Sequence, residues 1–111
     1  MSDEDPLSKM QGLFETAQRV QEELGKIQSE LAQKTVEGSA GGGMVIAVAN
    51  GRQQILSLKI EAEVVDREEI GMLQDLVVAA VNQALTRAAE MAQQEMAKLT
   101  GQMNINIPGV L

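Results

Sequence analysis

If the first thirty or so residues are helical, Lys9, Arg19, Lys26 and Lys34 fall within roughly a 100° arc, at about 100° per residue. Cations spaced along one helix face are the arrangement that neutralises the phosphates of a nucleic-acid backbone. Glu23 and Glu30 lie in the same arc, and Glu15 and Glu22 within about 40° of its edge. Glu15–Arg19, Glu22–Lys26 and Glu30–Lys34 are i,i+4 pairs in the favourable order. A salt-bridged, solvated face is therefore the simpler reading of this helix taken alone. Little other chemistry competes with it. The chain has no histidine and no cysteine, which removes zinc sites, thiolates and Ser-His-Asp catalysis. Carboxylates are plentiful, but they sit on solvated helix faces, where nothing pairs or buries them for acid–base work. The Gly41-Gly42-Gly43 run is not a phosphate loop. Such a loop needs Gly-Lys-Ser/Thr opening a helix, whereas Met44-Val45 opens a strand.

The charge balance opposes a nucleic-acid partner at long range. Net charge is −7 over 111 residues. Residues 1–34 hold four bases against seven acids, 35–65 two against three, and 66–100 three against six. That field repels phosphate, so binding would need a local basic cluster. The single aromatic, Phe14, provides no stacking platform for single strands. No run approaches the ~18 apolar residues of a membrane span, and Asp3-Glu4-Asp5 is wrong for a signal peptide. The expectation is a cytoplasmic chain with no membrane partner, forming a single domain over 1–111.

The elements that must position these charges are legible from periodicity. Asp5-Pro6 reads as an N-cap and first helical residue. From there Met10, Leu13, Ala17, Val20, Leu24, Ile27 and Leu31 step by three and four, an a/d heptad over about residues 6–34. Thr35–Glu37 fits a short strand and Gly38–Gly43 a mobile turn. Met44–Ala49 and Ile55–Glu61 are strands, and Asn50-Gly51 predicts a two-residue type I′ hairpin. That turn would set Ala49 opposite Arg52, Ala47 opposite Gln54 and Val45 opposite Leu56. Asp66, with Glu69 three residues on, has the capping-box pattern. The helix it opens runs past Leu99 to a stop at Gly101, and its middle, Leu76–Leu85, is apolar nearly all round. Gln102–Leu111, with Pro108-Gly109, reads as a loose tail, with Met103, Ile105 and Ile107 as its candidates to dock elsewhere. Apolar side chains on both hairpin faces and around the second helix call for a second subunit.

The order is helix, two or three antiparallel strands, helix: an α+β fold. Counting from the helix ends, an antiparallel pairing would set Lys9 near Lys98 and Arg19 near Arg87. The tip of each helical arm would then gather four bases from two helices, with Asp3–Asp5 close by.

These residues resemble the YbaB/EbfC family of nucleoid-associated DNA-binding proteins. The resemblance is carried by V-E-G-S-A-G-G-G-M-V-I-A-V-A-N-G (36–51), L-S-L-K-I (56–60), M-L-Q-D-L-V-V-A-A-V-N-Q-A (72–84) and M-N-I-N-I-P-G (103–109). It implies an α-β-β-β-α fold with a small antiparallel sheet between two long terminal helices. It also implies a tweezer-like homodimer, duplex DNA held by projecting helical arms, a nucleoid location, no enzymatic activity, no small-molecule substrate and no cofactor. The family supplies no fixed base-reading motif. Charge placement nominates Lys9, Arg19, Arg87 and Lys98 as DNA contacts. Asn82, inside the matched helix, is read as structural. The alternative is a structural adaptor or prefoldin-like holdase without DNA binding, since two long helices around a hairpin share that topology. Seven methionines would give such a protein an adaptable apolar surface.

Overall fold

The computed structural model describes residues 6–102. In chain order it contains helix α1 (Pro6–Gln33), strands β1 (Thr35–Ala40), β2 (Val45–Asn50) and β3 (Ile55–Ile60), and helix α2 (Ile70–Gln102). Two short 3-10 turns, Ala62–Val64 and Arg67–Glu69, lead from β3 into α2. This is the α-β-β-β-α order read from the sequence. The strands form one antiparallel meander in the order β1-β2-β3. The predicted N-cap Asp5, the acidic Asp3–Asp5 run and the tail from Met103 onward lie outside the described residues.

A stripe of small residues fixes how α2 meets the sheet. Ala80, Ala84 and Ala88 recur every fourth position, so they form one line on the helix. They pack on Val45, Ala47 and Ala49, which share one face of β2. Val45 is the largest of the fully buried side chains. A core this fine-grained lets the helix backbone approach the strands closely. The approach is tightest at Gly38, where an added Cβ would run into the Ala80 carbonyl oxygen and the Ala84 amide nitrogen. Gly38 is therefore a strand residue, opposite Ala47, and not the start of a turn. The turn itself is Gly41–Met44; Gly41, Gly42 and Gly43 all have positive φ (64°, 67° and 92°), which side chains rarely tolerate.

The hairpin between β2 and β3 differs from the predicted two-residue turn. Val45 pairs with Ile60, Ala47 with Leu58 and Ala49 with Ile55, with a bulge at Val48/Ala49. The loop is longer because Asn50 organises it with its side chain. Its Oδ1 accepts from the Arg52 and Gln54 amides at 3.0 and 3.1 Å, and its Nδ2 donates to the Gln54 side chain and to the Ala32 carbonyl. The positive φ falls on Gln53, not on Asn50 or Gly51. Gly51 serves a different purpose: its amide donates to the Leu31 and Lys34 carbonyls, at 2.8 and 3.2 Å, and so satisfies the C-terminus of α1. A Cβ at Gly51 would lie 2.6 Å from Leu31 Cδ2 and 3.0 Å from its carbonyl oxygen. Gly51→Val should consequently cost about 2–3 kcal/mol of overpacking, whereas exposed Arg52→Val should stay within about 0.5 kcal/mol. Thermal unfolding of the two variants checks this, and equal melting temperatures would show that Leu31 does not press on the loop.

Asp66 caps as expected, its Oδ1 accepting from the Glu68 amide at 3.0 Å. It caps the 3-10 turn at 67–69, however, and among the described residues Glu69 returns no side-chain bond to complete the box. At the far end α2 runs through Gly101 to Gln102 and does not stop at the glycine.

The two helices meet over a short length. Ile27 and Leu31 bury against Leu99, flanked by Leu24, Met91 and Ala92. The sheet junction at Gly51 sets α1's position, and α2 runs back antiparallel to it. Beyond Leu24 the rest of α1 stands clear of the described residues of α2. The result is an 80 × 23 × 18 Å body with a radius of gyration of 21.4 Å, against about 13 Å for a compact chain of this length.

Candidate nucleic-acid interface

The structure distributes the four nominated residues along the body and does not gather them at one tip. With Ile27 level with Leu99, Lys9 lies 18 helical residues tipward and Lys98 is one residue from Leu99, a separation of roughly 28 Å along the axis. Arg19 and Arg87 are separated by twenty such steps, roughly 30 Å. The predicted pairings Lys9/Lys98 and Arg19/Arg87 are therefore not made within the chain. Counting from helix ends assumed matched tips, whereas Gln102, the last described residue of α2, is level with about Leu24.

Arg87 has a structural task. Its Nη1 donates to the Glu37 carbonyl of β1 at 2.8 Å, and one turn earlier the Gln83 Oε1 accepts from the Ser39 amide at 2.7 Å. Together the two side chains close the outer edge of β1, an otherwise unpaired row of backbone groups. Asn82 is exposed on α2.

Lys98 stands beside Lys26, not Lys9. The two share a shallow polar depression with Glu23, Glu30 and Glu95. Glu95 is nearly buried and holds two lysines: Lys34 Nζ at 2.8 Å and Lys98 Nζ at 3.3 Å. Lys34 thus reaches across to α2 and forgoes the predicted partner Glu30. The hydrogen bond from Lys34, then that from Lys98, holds the Glu95 carboxyl below its ordinary 4.5. The Glu95 hydrogen bond likewise raises Lys34 above 10.5. A lowered carboxyl contributes stability that is complete above its unfolded value and disappears as pH falls through its folded one. Glu95→Gln should therefore lower the melting temperature at pH 7 and flatten its decline below about pH 4.5. Parallel acid limbs for the two proteins in thermal melts from pH 3 to 7 would show the triad to be inert.

The other predicted helix pairs, Glu15–Arg19 and Glu22–Lys26, are not formed: the ion pairs among the described residues are Lys34–Glu95, Lys98–Glu95 and Lys59–Glu61. Lys9, Arg19 and Lys26 are exposed and take no ion pair there. Lys26 is the basic residue left out of the nominated set, because counting from the helix ends set Lys9 and Arg19, and not Lys26, beside the cations of α2.

Geometry and charge together define an elongated, helix-armed α+β protein whose α1 cations lie on open surface among the described residues. Comparison with known proteins gives the particular family: the YbaB/EbfC DNA-binding family matches residues 7–103, and the chain belongs to it. A nucleoid-associated protein of Caldanaerobacter subterraneus subsp. tengcongensis is 57% identical over 98 residues, covering 88% of this chain and 86% of the relative. One from Syntrophobacter fumaroxidans is 57% identical over 91 residues, covering 82% and 81%. One from Bacillus thuringiensis is 54% identical over 87 residues, covering 78% of each. Among solved structures, an uncharacterized protein from Helicobacter pylori has the same fold, with a TM-score of 0.63 at 18% identity over 76% of this chain and 98% of its own. The family is a DNA-binding one and not a family of enzymes. That family favours DNA binding over the structural-adaptor or prefoldin-like alternative. No helix among the described residues is long and apolar enough to cross a membrane.

Proposed function

We propose that two copies of this chain bind duplex DNA through the α1 arms, as a nucleoid-associated protein with little sequence preference. The observation that carries this reading is the set of exposed cations on α1, Lys9, Arg19 and Lys26, which take no ion pair among the described residues, on a member of a DNA-binding family. Lys98, beside Lys26, extends the basic run onto α2, and Arg87 retains exposed donors nearer the sheet. Lysines and arginines touching phosphate confer affinity without reading bases. The chain's −7 charge keeps the complex weak, so only contacts made at close range count.

Pairing of two copies is supported by what one copy leaves uncovered. α2 lies over β1 and β2 and only marginally over β3. Leu56 and Leu58 of β3 and Val78 of α2 are consequently exposed, at 53%, 41% and 57%. Apolar groups spread over a sheet edge and a neighbouring helix are what a second subunit buries. A nucleoid location in the cytoplasm follows from the DNA partner.

The test is titration of duplex DNA at several salt concentrations, with sedimentation of the free protein. We expect a dimer at micromolar concentration and a log–log salt slope near −3 to −4.5, the equivalent of three to five phosphates. Between 50 and 200 mM salt the affinity should then fall by roughly 40- to 500-fold. A stable monomer, or binding indifferent to salt, would overturn the reading.

A further inference from the structure

Lys34 is the single residue between arm and sheet, because α1 ends at Gln33 and β1 begins at Thr35. It is engaged from three sides. Its amide donates to the Glu30 carbonyl at 3.1 Å, and its carbonyl accepts from the Gly51 amide at 3.2 Å. Its Nζ reaches across to Glu95 of α2 at 2.8 Å. Glu95 is 9% exposed and takes Lys98 as well. Of the cations along the α1 arc, Lys34 alone enters an ion pair among the described residues.

This pair gives the helix crossing its second point of attachment. The first is apolar, Ile27 and Leu31 on Leu99. Apolar burial is non-directional, so that contact can slide and still stay buried. A charge-assisted hydrogen bond to a nearly buried carboxylate fixes both distance and direction. On α2, Glu95 lies one turn from Leu99; on α1, Lys34 lies one turn from Leu31. One contact leaves a rod free to pivot, whereas two define its direction. The leverage is large. From Leu31 to Lys9 is 22 helical residues, roughly 33 Å. A swing of about 10° would carry Lys9 roughly 6 Å, twice the ~3 Å reach of a hydrogen bond to phosphate.

We propose that the Lys34–Glu95 pair pins the direction of the α1 arm, which makes Glu95 a positioning residue for DNA binding although phosphate repels its charge. The role in binding rests on the arms being the DNA surface; the direction of the arm does not. The sign of the effect separates this role from plain electrostatics. Glu95 borders the depression that holds Lys26 and Lys98, so neutralising it would tighten binding if local charge alone mattered. A freed arm must instead be ordered at each encounter, and binding weakens.

Residual dipolar couplings of the weakly aligned full chain read the direction of each helix. In Glu95→Gln and in Lys34→Gln, the amide couplings of residues 9–26 should fall by about a third or more relative to those of α2, with residues 45–49 unchanged. Lys26→Gln makes the same charge change on the arm without touching the pair, and its α1 couplings should match the wild type. Wild-type couplings in the first two variants, or an equal fall in Lys26→Gln, would overturn the pin. In duplex titrations Glu95→Gln should bind about 5-fold more weakly with an unchanged salt slope, because the number of phosphate contacts is the same. Equal or tighter binding by Glu95→Gln would overturn the positioning role even with reduced couplings. Wild-type binding indifferent to salt would instead remove the arms as the DNA surface, and that role with them, while the couplings still decide the pin.

Discussion

Gly38→Ala is expected to destabilise the fold by about 3 kcal/mol or more, at the top of the overpacking range, and to lower the melting temperature by upwards of about 10 °C. Most small-to-large changes push on side chains that can rotate away. Here the new methyl would meet the Ala80 carbonyl oxygen and the Ala84 amide nitrogen, both backbone atoms inside a 33-residue helix. Relief requires α2 to lift from β1 and β2, which would open the Ala80–Ala84–Ala88 line on Val45, Ala47 and Ala49 along its length. Gly25→Ala, where an added Cβ meets nothing, is the matching control and should be neutral or slightly stabilising. Similar melting temperatures for the two variants would show that the helix–sheet spacing is not set at Gly38.

That contact also shows where sequence reasoning reaches its limit. The alanine periodicity of α2 announces close packing, and the element order follows from heptads, alternation and glycine punctuation. Which glycine faces the helix is a tertiary fact. Gly38 looks like part of the glycine-rich turn because it stands three residues before the Gly41–Gly43 run; only the pairing of β1 with β2 puts it opposite Ala47 and under α2. The hairpin misleads for a similar reason. Asn-Gly is a strong local signal, but Asn50 and Gly51 are both engaged by the end of α1, through Ala32, Leu31 and Lys34. A long-range cap outcompetes the preferred local turn.

The candidate site was legible in its residue types and not in its geometry. The cations of α1 are plain in the sequence. Their distances from those of α2 depend on where the helices cross, and the crossing is set by the Gly51 junction and by Ile27 and Leu31 on Leu99. The heptad marks Ile27 and Leu31 as apolar, but nothing periodic says that Leu99 meets them or that Gly51 caps α1. The i,i+4 acids misled in the other direction, since exposed pairs are worth too little to hold a long side chain in one place. Lys34 leaves Glu30 for a nearly buried carboxylate because fewer waters compete there.

The arm variant follows from this correction. Arg19→Glu combined with Lys26→Glu is expected to weaken duplex binding by about 100-fold or more at low salt and to flatten the salt dependence, since each lost phosphate contact removes about 0.9 from the slope. In a dimer the two substitutions remove four of the cations that an estimated three to five phosphates require. Both side chains are exposed and unpaired among the described residues, and glutamate matches arginine and lysine in helix propensity, so the melting temperature should hold. Lys98 is the poorer choice for reversal, because it shares Glu95 with Lys34 and its loss would disturb the helix crossing as well as the charge. Lys59 is the informative control: it sits on β3, 3.9 Å from Glu61 and opposite Ile46, at the end of the strand away from the Gly51 junction with α1. Lys59→Glu should leave affinity within about 2-fold, as for a cation outside the phosphate path. Strong loss at Lys59 with no change at Arg19 and Lys26 would move the DNA surface from the arms to the sheet.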